Sequence, residues 1–359
     1  MAKKKKGNVE NDGEKHPVRL KARDEMRLES RLAKGDRELK RLKAKYRSAL
    51  GELHELERQN EALVAFSGPA ETFKINPKTP AGDSESTAFM IASDWHIEER
   101  VDPGVVNGLN RFDLDIACRR AAQFFRNGLR LVEINRQATV IKTLVLALLG
   151  DFFSNDIHEE LAEGNQLLPI DAANKARELL TSGIVFLLEN GKFDEIVIPC
   201  HSGNHARTTP KTRVTTERGH SLEYMIYASL AREFKSEPRV KFLLADGYHS
   251  YVEVYGRTIR FHHGHMIRYQ GGVGGVYIPV NKAISQWSRA KHADLDVFGH
   301  FHQAKHDVRF ISNGSLIGYN AFAISIKADF EPPKQAFFLI DRKRGVTIYA
   351  PIMFDDNKK

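Results

Sequence analysis

From residue 88 onward the chain alternates short apolar runs with longer amphipathic stretches. Residues 88–93 form an apolar run that stops at Asp94, and residues 143–149 form one that stops at Gly150-Asp151. Both predict buried strands, because a short uninterrupted apolar run bounded by turn residues fits a strand covered on both faces. Residues 113–137, 172–190, 219–235 and 278–291 predict helices. Residues 195–199 predict a strand followed by a polar turn. Residues 240–244, 248–255 and 258–262 alternate apolar and polar positions like antiparallel strands. Residues 296–298, 309–313, 335–341 and 346–350 read as further strands. Helix and strand alternate in the first half and strands gather later, which gives an α/β fold.

The first 87 residues follow other rules. Residues 1–16, with four consecutive lysines followed by Gly, Asn and Asp, predict a disordered basic tail. Residues 17–66 are rich in Leu, Ala, Glu, Lys and Arg and predict a helix that starts near Pro17. Within it, Leu39, Tyr46, Leu53 and Asn60 fall at a positions of a heptad, and Leu42, Ala49, Leu56 and Leu63 at d. Such a seam over residues 28–63 serves either a homo-oligomeric coiled coil or one helix folded back on its own domain. Gly35 on a d position weakens the first heptads. Residues 67–87 carry three prolines, two glycines and several Ser/Thr, a linker composition. The domain boundary is expected there, with residues 88–359 as the main domain.

The chain has 359 residues, of which 42% are hydrophobic, enough for a sizeable core without disulfides. The two cysteines, Cys118 and Cys200, make no Cys-x-x-Cys pair. A disulfide framework and a cysteine zinc ribbon are thereby excluded. No apolar stretch follows the basic start, and the run at residues 144–149 is far short of the ~20 residues that span a bilayer. A cytoplasmic protein without membrane attachment is expected. The net charge is +8, and residues 1–66 hold 18 Lys+Arg against 12 Asp+Glu. Basic character therefore concentrates in the N-terminal segment, as a solvated helix face or as a contact for nucleic acid.

Five polar clusters follow strand-like runs: Ser93-Asp94-Trp95-His96, Gly150-Asp151 continuing to Asp156, Gly203-Asn204-His205, His262-His263-Gly264-His265 and Gly299-His300-Phe301-His302. In open α/β sheets, ligands gather at the carboxyl ends of strands, so loops distant in sequence reach one crevice. Asp brings a hard anionic oxygen, His a borderline nitrogen and Asn a neutral carbonyl oxygen. That mixture suits Mn, Fe or Zn better than Mg or Ca.

The ordered series Asp-x-His, Gly-Asp, Gly-Asn-His, His-Gly-His and Gly-His-x-His resembles the calcineurin-like metallophosphoesterases, over residues 88–310. The resemblance implies a four-layer α/β/β/α sandwich holding two divalent ions, Mn foremost, with Fe, Zn or Ni as alternatives. It implies Asp94, His96, Asp151 and His302 around the first ion, and Asp151, Asn204, His263 and His300 around the second. Asp151 would bridge the two, and His205 would be the catalytic histidine. Choosing His263 over His262 or His265 rests on aligning the triplet with the family motif. The implied reaction is phosphodiester hydrolysis by metal-activated hydroxide.

The third motif continues with Ala206-Arg207 in place of the usual acidic residue. Arg207 is then a candidate for binding phosphate, and Lys211 and Arg213 extend a basic rim. Asp156 and His158 either line the cleft or serve the loop. Together with the basic arm, these features resemble phage-type phosphoesterases and make a nuclease acting on DNA or RNA the leading expectation. The rivals are a phosphomonoesterase, a cyclic-nucleotide or small-molecule phosphodiesterase, and a coiled-coil scaffold with a vestigial metal site. Trp95, Phe152 and Phe153 serve either base stacking or packing. The glycines of residues 271–275 fit a mobile loop better than a dinucleotide site, since they do not open a helix directly after a strand.

Overall fold

The computed structural model describes residues 72–80, 84–268 and 275–355, together with Gly35, Lys40 and Arg41. The basic tail, the heptad seam of residues 28–63 and residues 269–274 lie outside the described residues, save that Gly35, Lys40 and Arg41 are helical. The described residues of Ser67–Lys359 form one compact unit.

One six-stranded sheet is built from β2 (Ser86–Ala92), β3 (Thr143–Leu148), β4 (Glu195–Cys200), β5 (Val240–Leu244), β11 (Lys334–Asp341) and β12 (Gly345–Met353). Its order is β12-β11-β2-β3-β4-β5. The other contains β1 (Thr72–Ile75), β6 (Ser250–Val254), β7 (Arg257–Phe261), β8 (Leu295–Phe298), β9 (Lys305–His306) and β10 (Phe310–Ser312), in the order β1-β6-β7-β8-β10-β9. The helices are α1 (Leu114–Asn135), α2 (Glu159–Gly164), α3 (Pro169–Asn190), α4 (Leu222–Glu233), α5 (Tyr277–Ala290) and α6 (Ala321–Ser325).

Every residue of β2 and β3 is buried, which is why both read as unbroken apolar runs. Successive side chains point to opposite faces. Phe89, Ile91, Val145 and Ala147 therefore pack inward against Val252, Ile259, Phe261 and Val297 of the second sheet. Met90, Leu144 and Leu146 pack outward with Phe124, Leu180, Ile184 and Ile226 of α1, α3 and α4. On the far side, Phe298 and Phe310 meet Val280 and Ile284 of α5. The result is two sheets packed face to face and flanked by helices.

Local chemistry sets the boundaries. The Asp113 side chain accepts from the Ile116 backbone N–H at 2.9 Å and caps α1. Tyr255 (φ 52°) and Gly256 (φ 81°) both lie in the left-handed region, which closes the β6–β7 hairpin with the twist its strands need.

Three expectations change. The segment 67–87 is not linker throughout: β1 lies in it and pairs parallel with β6. Glu85 also accepts backbone N–H groups of Lys78 and Thr79 within the segment, and Lys78 pairs with Glu195 of β4 at 3.0 Å. The helix expected over 219–235 is a 3-10 turn, Glu217–His220, followed by α4, and the Ser221 hydroxyl accepts from Tyr224 N–H at the break. Strand β5 runs parallel to β4, so its alternation reflects an edge position and not an antiparallel partner. Among the described residues no helix is long and apolar enough to cross a membrane.

Candidate metal centre

Asp94 and His96 follow β2, Asp151 follows β3, and Asn204 and His205 follow β4, three strands that are parallel neighbours. His263 follows β7, and His300 and His302 follow β8, again parallel neighbours. All five loops thus leave the carboxyl ends of strands. Asp94, His96, Asp151, His300 and His302 have φ of 56°, 48°, 56°, 71° and 54°, left-handed values that non-glycine residues rarely adopt. Surrounding hydrogen bonds hold them there: Asp94 N–H to Gly150 O at 2.9 Å, Trp95 N–H to Asp151 O at 2.8 Å, and Leu316 N–H to Asp94 O at 3.1 Å. Strain of this kind concentrates at functional sites.

Donor atoms of Asp94, His96 and His302 lie within 4.8 Å of one another, as do those of His96, Asp151 and His205, and those of Asp151, His263 and His300. The three groups overlap through His96 and Asp151. His96 Nε2 is 3.2 Å from His302 Nε2, which is 3.5 Å from Asp94 Oδ1. His263 Nε2 is 2.9 Å from Asp151 Oδ2. The other Asp151 oxygen accepts the His205 backbone N–H at 2.8 Å. Asn204 precedes His205, and its buried Oδ1 has no hydrogen-bond partner. His302 Nδ1 is likewise buried and unpartnered.

The motif glycines have a steric reason. A Cβ on Gly203 would lie 2.0 Å from Asp151 Oδ1, and one on Gly299 would lie 2.4 Å from Asp94 Oδ2.

Burial pushes the Asp94 carboxyl up to about 7, opposed by His263 and reinforced by the Asp151 charge. Burial would raise Asp151 too, but His263, His205 and His96 outweigh it and hold the carboxyl well below the usual range. Burial lowers His263, and the Asp151 carboxylate reverses this and lifts it to about 10. A carbonyl only accepts, so His263 Nδ1, 2.6 Å from Leu149 O, carries a proton. The extra proton sits on Nε2 against Asp151, where a bound cation would displace it. Burial, aided by neighbouring histidines, keeps His96 and His300 well below the usual imidazole range and takes His302 to about 3. Neutral imidazole is the ligating form. The unpartnered amide oxygen, the converging imidazole nitrogens and the two carboxylates are a donor set that fits divalent ions.

Several supporting residues carry no motif signal. Glu98 accepts from Ser154 N–H at 2.7 Å and Asn155 N–H at 2.9 Å. Glu223, at the start of α4, accepts from Phe152 N–H at 2.8 Å and Gly203 N–H at 2.7 Å, so it ties the Asp151 and Asn204 loops together. Ser154 Oγ lies 2.8 Å from His96 Nδ1 and donates to Glu99 Oε2 at 3.2 Å. Gln335 accepts from Ser93 N–H and donates to Ser93 O, fixing the loop that carries Asp94.

The remaining candidates divide. His262 lies 3.4 Å from Asp296 and stacks on Phe298, away from the donor cluster. His265 stands 3.9 Å from Glu217, and His263 alone of the triplet joins Asp151 and His300. Arg207 Nη1 donates to Asn204 O and Nε to Thr209 O at 3.1 Å. Two of its five N–H groups are thereby committed to the loop backbone, and Nη2 keeps both of its own. Asp156 is exposed, while the exposed His158 ring lies 6.5 Å from that of His205. Trp95 and Phe152 pack edge to face, both buried with Phe153. Cys118 and Cys200 are free thiols.

No family model and no curated protein matches the chain. Among solved structures it is similar to a hypothetical protein from Pyrococcus horikoshii, at 11% identity and a TM-score of 0.37, over 75% of this chain and 89% of that one. It is also similar to a single mutant of Vps29 from Entamoeba histolytica, at 15% identity and a TM-score of 0.26, over 58% and 98%. Both scores are below 0.5, and the functional reading rests on the side-chain geometry described above.

Proposed function

We propose that the chain is a calcineurin-like metallophosphoesterase that hydrolyses phosphodiesters, with DNA or RNA as its substrate. The observation that carries this reading is the meeting of Asp94, His96, Asp151, His205, His263, His300 and His302 in three overlapping donor groups built from five strand ends. Asp94, His96, Asp151 and His302 would hold one divalent ion, and Asp151, Asn204, His263 and His300 a second. Mn is favoured by the mixed oxygen and nitrogen donors. Bound there, two ions supply Lewis acidity toward phosphoryl oxygens and toward water.

The chain's own residues do the rest. His205 Nδ1 lies 3.0 Å from Ser154 O and therefore carries a proton, which fixes the tautomer and leaves Nε2 as an acceptor that takes a proton from water and passes it to the leaving oxygen. Arg207 offers Nη2 to a non-bridging oxygen. Glu223 and Glu98 keep the two loops at a fixed separation while charge develops. The basic segment of residues 1–66 supplies phosphate contacts that carry no sequence information.

The test is Mn-dependent cleavage of end-labelled single- and double-stranded DNA and RNA, run beside bis(p-nitrophenyl) phosphate. Cleavage is expected in wild type, absent in Asp151→Asn and reduced about 10²–10⁴-fold in His205→Ala. Hydrolysis of the small ester without nucleic-acid cleavage would remove the nuclease assignment. No hydrolysis of any ester would remove the enzyme.

A further inference from the structure

Of the aromatic side chains that accompany the site motifs, Trp95, Phe152, Phe153 and Phe301 are buried and so closed to a ligand. Phe322 of α6 is partly exposed. Its ring centroid lies 5.1 Å from that of His302 and 6.4 Å from that of His300. A hydrocarbon ring left partly in water beside a polar centre forgoes apolar burial that a flat aromatic ligand would restore.

The helix that carries this ring is braced from within. Asn320 Oδ1 accepts from Ala323 N–H at 3.1 Å and caps α6, while its Nδ2 donates to Glu99 at 3.0 Å. The other Glu99 oxygen accepts from Ser154, the residue beside His96. Asn110 donates to Tyr319 O at 2.9 Å just before the helix, and Ala323 is buried. A platform fixed in this way loses little freedom when a ligand stacks on it. In a phosphodiester of nucleic acid the flat aromatic part is the base, joined to its phosphate through one sugar.

We propose that Phe322 is the stacking platform for the base next to the scissile phosphate, and that the substrate is a single strand. Every base has a π-face, so such a platform accepts any sequence. In a duplex the base is already stacked and paired, and it would have to leave the helix to reach the ring. The inference rests on the nuclease reading and adds what selects nucleic acid over an ester without bases.

The experiment compares kcat/KM of the Mn-loaded full chain for a short homothymidine strand and for a strand of equal length whose sugars carry no bases. The bases are expected to raise kcat/KM about tenfold in wild type. In Phe322→Ala that advantage should fall below about twofold, and Phe322→Tyr should keep most of it. The ratio within one variant does not depend on the fraction of active protein. A role of Phe322 confined to steadying His302 would lower turnover of both strands alike and leave the ratio unchanged. Equal turnover of the two strands by wild type, an advantage that survives in Phe322→Ala, or faster cleavage of homothymidine when it is paired with its complement would overturn the platform. Cleavage of neither strand by wild type would instead defeat the nuclease reading, and the platform with it.

Discussion

At the scale of single residues, the centre depends on groups that orient ligands as much as on the ligands. A metal-binding imidazole needs its second nitrogen held, and for His96 the holder is Ser154, backed by Glu99. Asn320 donates to the other Glu99 oxygen at 3.0 Å and fixes the carboxylate in turn. Ser154→Ala should weaken Mn binding about 10–100-fold in calorimetric titration, with Tm near that of wild type and recovery in Ser154→Thr. Unchanged affinity would show that His96 needs no such support. That these donors would cluster was legible, because Asp-x-His and His-x-His after apolar runs are unusual pairings of residue type and position. Ser154, Glu98 and Glu223 were not. A serine in a loop and a glutamate in the first turn of a helix are ordinary in sequence, and only folding brings Glu223 beneath Phe152 and Gly203.

At the scale of elements, the strands that read most clearly are those enclosed by both layers. Phe89 and Phe338 stack at 4.4 Å across adjacent strands and fill the space between the sheets. Phe338→Ala should cost about 3–5 kcal/mol, measured as a lowered midpoint in denaturant. A loss under about 1 kcal/mol would mean that the sheets close over the gap. The long helices were equally legible from their periodicity, and Asp113 marks the start of α1. Short elements were not. Strand β1 has four residues among prolines and glycines, and its hydrogen bonds come from β6, far along the chain. The parallel pairing of β5 was hidden for the same reason, since its partner β4 lies beyond a loop and α4.

At the scale of the whole molecule, the fold gathers residues separated by more than 200 positions. His300 N–H donates to both Asp94 oxygens at 3.0 Å, a contact spanning 206 residues. It closes the site between the two sheets. The left-handed backbones at Asp94, His96, Asp151, His300 and His302 are held by this convergence, and beside them the buried Asn204 Oδ1 and His302 Nδ1 without hydrogen-bond partners fit a cation site. Mn at about 100 times its Kd should therefore stabilise the full chain by about 2.7 kcal/mol, seen as a rise in Tm that a chelator reverses. An unchanged Tm would mean that the donors do not act as a binding site.

Asp151 stands at the overlap of the donor groups, so it offers the most direct test of a centre with two ions. Mn would be titrated into the full-length wild type and into Asp151→Asn by isothermal calorimetry. Two equivalents are expected in wild type and neither at comparable affinity in the variant, because in the proposed centre one carboxylate would serve both ions. One equivalent or none in wild type, or two that persist in Asp151→Asn, would contradict a centre bridged by that residue.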